Sequence, residues 1–279
     1  MKKILMAATV AALMSTSALA EITIGGDFEW SFQDSNGTST SAVDADVNIK
    51  PSITTETGLT IGADFNINQD GNDDGGNSLT FSGDFGKLDL GDTNSAMDSI
   101  DDVTDWGYAL TNGSPSVDHA ANLTLSPVAG LKLMISGAAD SNYGSTATAG
   151  YAVAAKYALG DFATIGAGTM INDDSTEATI MNVSANHSGV GIGYELHTDT
   201  TAANVDTDTT TMSATYTLGA TMFAIELMET ESASVVSSDE TTYGLHHNIA
   251  NGLVAFVEYT DDEKTASEET TAVGLAMKF

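Results

Sequence analysis

Hydrophobic and polar positions alternate along most of the chain. In "EITIGGDFEWSFQ", Ile22, Ile24, Phe28, Trp30 and Phe32 fall on one face, and Thr23, Gly25, Asp27, Glu29 and Ser31 on the other. Successive side chains of a β-strand point to opposite sides, so this period of two predicts a strand between an apolar and an aqueous phase. "GLTIGADFNINQ" repeats it, with Leu59, Ile61, Ala63, Phe65 and Ile67 against Thr60, Gly62, Asp64 and Asn66. The last segment, "AVGLAMKF", sets Val273, Leu275, Met277 and Phe279 on one face. It is expected to pair with the strand beginning at Ile22, which would close the sheet and leave no edge.

Further alternating segments, among them "AVDADVNIKPSIT", "SLTFSGDF", "KLDLGD" and "SGVGIGYELHT", bring the count to about 16. Each is near the ~9–11 residues that a tilted membrane-spanning strand needs. Seven short turns, such as "TETG", "LGD" and "IANG", alternate with eight longer polar connections, such as "DSNGTSTS", "DGNDDGGN" and "TESASVVSSDE". The fold class this predicts is all-β: a transmembrane antiparallel up-and-down barrel, with short periplasmic turns and long outer loops. A soluble sandwich would alternate too, but without the regular short and long connections. Nor would it gather aromatic residues near strand ends, as Trp30, Phe32 and Tyr259 are on the loop side and Phe85, Tyr157 and Phe279 on the turn side.

Composition narrows the setting. Lys2, Lys3, the apolar run "ILMAATVAALM" and the small residues of "SALA" predict an export leader cleaved after Ala20, leaving 21–279 as the barrel. No later window is apolar for the ~18 residues of a helical span. Without cysteine, an exported chain is held by its core or by a closed backbone ladder. Eight lysines and no arginine stand against 39 acidic residues, a formal charge of −31. That balance excludes nucleic acid as a partner and makes cations the natural mobile ones.

Candidate chemistry is sparse. The five histidines lack zinc-ligand spacing, and His246 and His247, adjacent on a strand, point to opposite faces. No Cys nucleophile and no Gly-x-Ser-x-Gly turn is present, so no enzyme is expected. Asp70, Asn72 and Asp74 before Gly75 fit the opening of a calcium loop, although Phe81 stands where the closing Glu belongs. Calcium on the acidic loops is the one cofactor-like ligand expected. Alternation turns Lys50, Lys132, Lys156 and Asp64 away from the apolar face, while snorkelling to the rim is the competing arrangement for the lysines. Gly25–Gly26 and the "GIG" of 191–193 are expected on outward faces, at contacts between protomers.

The order of these features resembles the Gram-negative general porins, particularly the short 16-stranded type of photosynthetic and marine proteobacteria. The likeness is carried by the leader with its first strand, the "FSGDFGKLDLGD" hairpin and the terminal Phe279. It implies a homotrimer of water-filled barrels set in outer-membrane lipid and lipopolysaccharide. It also implies a third loop folded inward to narrow each pore. Here that loop is "TNSAMDSIDDVTDWGYALTNGSPSVDH", which would bring Asp98, Asp101, Asp102 and Asp105 to the constriction. Enteric relatives often carry a Pro-Glu-Phe-Gly-Gly motif there and an arginine cluster opposite; this chain has neither, so lysines must supply any positive wall. Phe279 looks like the signal read by the outer-membrane insertion machinery. The expected function is passive diffusion of small hydrophilic solutes and cations. A substrate-selective channel and a non-conducting structural or adhesive barrel are the rivals.

Overall fold

The computed structural model describes residues 20–68, 77–101, 103, 106–108, 110, 118–138, 150–172, 176–233, 235–264 and 268–279. The strands are β1 (Ala20–Ser35), β2 (Thr38–Thr54), β3 (Thr60–Asn68), β4 (Ser78–Gly83), β5 (Gly86–Asn94), β6 (Asp118–Val128), β7 (Leu131–Ala138) and β8 (Gly150–Leu159). They continue as β9 (Ala163–Asn172), β10 (Glu177–His187), β11 (Val190–Thr200), β12 (Asp206–Leu218), β13 (Thr221–Ser232), β14 (Val235–Ala250), β15 (Leu253–Asp262) and β16 (Glu268–Lys278). Each pairs with its sequence neighbours, and β16 pairs with β1, so the sheet is a closed barrel. At the seam Asp27 lies opposite Lys278 and Ser35 opposite Thr270. Gly26 and Phe279 then exchange backbone hydrogen bonds of 3.0 Å in both directions. Closure leaves the barrel wall without an edge, and every strand can satisfy its backbone groups on both sides.

The period of two sorts the wall as expected. Ile22, Trp30, Val43, Phe65, Ile135, Val183, Phe223, Val257 and Leu275 are all exposed on the outside. In water such a belt would be an aggregation surface; around a closed barrel it is the face presented to lipid. Tyr243 and Tyr259, opposite each other on β14 and β15, stack there with ring centroids 6.4 Å apart.

Two of the expected long outer loops are instead tight hairpins. β1 and β2 are joined by Asn36 and Gly37 alone, at φ 54° and 78°. Positive φ at both central residues is the turn whose twist matches the flanking strands, and Asn-Gly is its preferred sequence. Asp34 fastens it, accepting the Gly37 N–H at 3.2 Å and the Ser39 hydroxyl at 2.6 Å. β13 and β14 likewise approach within two residues, Ser232 to Val235. The polar residues read as loop therefore belong to strands that rise beyond the membrane, which explains the 16 and 17 residues of β1 and β2.

Candidate functional site

The lumen is shaped by the segment after β5. At its end the pairing with β6 slips between Leu90 and Thr93, with Gly91 at φ 117°. A bulge of this kind re-aims the chain. Ser95 to Ile100 makes a single turn, Ile100 N–H bonding Met97 C=O at 3.1 Å. Asp98 helps form it: its carboxylate accepts the Ser95 N–H at 3.1 Å while Ser95 Oγ accepts the Asp98 N–H at 3.1 Å.

From this turn onward the segment lies against the inner wall on anchors three residues apart. Met97, Ile100, Val103 and Trp106 are all buried. Ile100 sits on Gly166 and Gly168 of β9 and against Ala154 of β8, while Asn182 of β10 donates to its carbonyl. Val103 fills the space above Gly193 of β11, where a Cβ would lie 2.8 Å from Val103 Cγ1, and Ser213 of β12 donates to its carbonyl at 2.7 Å. The indole of Trp106 covers Gly244 of β14, and its Nε1 donates to Glu226 of β13 at 3.2 Å. Tyr108 stacks on Phe256 of β15 at 5.1 Å. The glycines are sockets, which corrects the expectation for "GIG": Gly193 faces the lumen and Ile192 faces lipid. In β1, the Cβ position of Gly26 is covered by the Phe279 ring.

Three buried glutamates complete the seat. Glu195, Glu226 and Glu258 point inward from β11, β13 and β15. Glu258 is the most engaged: it accepts the Tyr108 N–H at 2.7 Å and the Leu110 N–H at 2.8 Å, and meets His246 Nε2 at 2.9 Å. Hydrogen bonds to an ionised carboxylate are about twice as strong as neutral ones. Burial, then the charges of Glu258 and Glu29, push the Tyr108 phenol above its ordinary pKa and keep it neutral.

The opposite wall is charged. On β1 and β2, Asp27 faces Asp46 and Glu29 faces Asp44 across the ladder. Lys50 pairs with Asp64 at 2.7 Å and Lys87 with Asp89 at 2.9 Å. These two pairs line a passage of about 760 Å³ together with Thr80 and Asn122. Asp27 also has Lys278 as its partner on β16. Among the described residues of this wall, eight carboxylates (Glu21, Asp27, Glu29, Asp44, Asp46, Asp64, Asp89 and Asp92) stand against the ammonium groups of Lys50, Lys87 and Lys278. Lys132 and Lys156 are direct cross-strand partners on β7 and β8. They share the lumenal face with Met134 and Ala154, at the turn end of the barrel.

Of the residues expected at a constriction, Asp98 and Asp101 lie half-buried on the inward segment, and Ser99 between them lines the same passage as Lys50 and Asp64. Asp102 and Asp105 lie outside the described residues, as do Asp70, Asn72 and Asp74. Alternation alone did not single out Lys87 or the three seat glutamates. A signal was present: "GYELH", "AIELM" and "FVEYT" repeat an outward apolar residue before an inward Glu, 31 and 32 residues apart, one hairpin each.

A sequence profile described as Gram-negative porin matches residues 7–267. No protein with a curated description matches the chain. Among solved structures, a porin refined at 1.8 Å is similar with a TM-score of 0.71 and 21% identity, over 93% of this chain and 100% of that one. OmpF of Salmonella typhi, in complex with daunomycin, is similar with a TM-score of 0.76 and 14% identity, over 92% and 97%. OmpT of Vibrio cholerae, an outer-membrane protein in its trimer form, gives 0.76 and 12%, over 93% and 99%. At these identities the likeness is one of fold.

Proposed function

The chain belongs to the Gram-negative porin family, an outer-membrane diffusion channel, and on that premise we propose that its pore prefers cations and passes small hydrophilic solutes without chemistry. The observation that carries this is the imbalance on the β1–β5 wall. Lys50 and Lys87 each stand against a carboxylate of their own, while Asp27–Asp46 and Glu29–Asp44 place like charges face to face, with Lys278 opposite Asp27 as the cation in register there. Like charges directly opposite cost stability unless counter-ions offset them, so the wall draws cations from solution. Asp98 and Asp101 add negative charge from the inward segment, which we assign as the constriction; Asp102 and Asp105 would extend it.

The same reading includes a leader removed after Ala20, a homotrimer as in the trimer form of OmpT, and Phe279 as an assembly signal. Calcium at Asp70, Asn72 and Asp74 is an additional proposal for the outer loops. Reversal potentials of the refolded protein in planar bilayers under a salt gradient test the channel. A cation-selective potential at neutral pH is expected; an anion-selective one refutes the preference, and absence of conductance refutes the channel itself.

A further inference from the structure

The inward segment divides the lumen into two unlike halves. One is the charged passage beside Lys50 and Lys87. The other is a cavity of about 550 Å³ against β9–β15, roofed by Val103, Trp106 and Tyr108. Its volume falls in the ~300–1,000 Å³ range of small-molecule sites. In a chain with 39 acidic residues its lining is unusually neutral: Asp161 is its one carboxylate among the described residues, and none of them is a lysine.

The strand register builds the floor. Thr164, Ser184, Gly193 and Ser213 lie in one row across β9, β10, β11 and β12, since Ser184 is opposite both Thr164 and Gly193, and Gly193 is opposite Ser213. In the next row Asn186 and Thr215 flank Gly191. Both β11 positions lack a side chain, and a Cβ at Gly191 would lie 2.5 Å from Thr215 Oγ1. Val103 covers the Gly193 position and takes the Ser213 hydroxyl, so the polar groups left to line the cavity floor beside Gly191 are those of Thr164, Ser184, Asn186 and Thr215. The indole of Trp106 and the imidazole of His246, ring centroids 5.8 Å apart, line the β13–β14 side of the same cavity.

We propose that this cavity is a binding subsite for a neutral polyhydroxylated solute of the sugar class. Such a solute offers paired donors and acceptors to the hydroxyl and amide groups and an apolar C–H face to the rings. It gains nothing from the charged passage, which suits ions. Recognition by a few placed polar groups beside aromatic walls is the usual chemistry of small-solute sites. The inference deepens the channel reading and rests on it only for how the solute reaches the site.

Trp106 reports on the site directly, because the chain has only two tryptophans and Trp30 faces lipid. In a Trp30→Phe background, sucrose titrated into the refolded barrel should shift Trp106 emission saturably. A polyethylene glycol of matched size should not. In planar bilayers the same sucrose should lower the ion current along a saturating curve. Ser184→Ala with Thr215→Val removes one hydroxyl from each row and should weaken the apparent affinity about tenfold or more. Circular dichroism checks that this variant keeps its barrel. A linear response equal for sucrose and polyethylene glycol, or an unchanged affinity in the folded double variant, overturns the subsite. Conductance in salt alone tests the channel separately, and a saturable fluorescence response without conductance would uphold the subsite while refuting the channel.

Discussion

Glu258→Gln is the substitution that bears hardest on how the pore is narrowed. The carboxylate receives two backbone N–H groups from one short stretch, Tyr108 at 2.7 Å and Leu110 at 2.8 Å, with His246 Nε2 at 2.9 Å. A glutamine keeps one acceptor oxygen and turns an NH₂ donor toward the second N–H, so one bond is lost and a donor faces a donor. Hydrogen bonds to charged groups contribute about 1.5–3 kcal/mol each, and a buried orphan donor costs a further ~1–3 kcal/mol. Local opening of the Tyr108–Leu110 tether should become cheaper by about 2–4 kcal/mol, a rise in the opened population of about 30- to 1,000-fold. Ile100, Val103 and Trp106 keep their sockets, so the barrel itself should hold. Amide hydrogen exchange measures this, because it resolves local from global opening. Protection should fall at Tyr108 and Leu110 while β-strand amides stay protected, and single-channel current noise should grow. Unchanged protection at both amides in the folded variant would refute the tether.

Further expectations follow from the same geometry. Asp27→Asn with Glu29→Gln should lower the cation-to-anion permeability ratio in reversal-potential measurements, whereas Lys50→Ala, which leaves Asp64 without its partner, should raise it. Gly193→Val places methyl groups where Val103 already lies; it should push the inward segment off β11 and change conductance while thermal unfolding of the barrel shifts little. Ile100→Ala empties a fully buried site and should cost about 2–5 kcal/mol of local stability, seen as faster exchange at Ile100 and its neighbours. In alkaline difference spectra Tyr108 should ionise later than the ordinary tyrosines: its raised pKa means that its contribution to stability is complete below the unfolded value and lost as pH rises through the folded one. Tyr108→Phe should diminish that late component.

The strands were legible because a membrane barrel imposes one rule on every residue. Lipid outside and water inside force a period of two, so Trp30 and Asp27 could be assigned to opposite faces from order alone. Closure was legible for the same reason, since the last strand had to meet the first. The two tight hairpins were misread because polarity marks loop and protruding strand alike above the membrane; the Asn36–Gly37 dipeptide was the better guide. What the sequence could not show was the relation among strands distant in the chain. Glu258 serves Tyr108 from about 150 residues away, and Gly193 makes room for Val103, only because barrel curvature and register bring one face of β9–β15 under one inward segment. Alternation determines which way each side chain points. Only the closed tertiary structure decides what it meets there, because contacts across the lumen depend on the shear of the whole sheet, which no local pattern encodes.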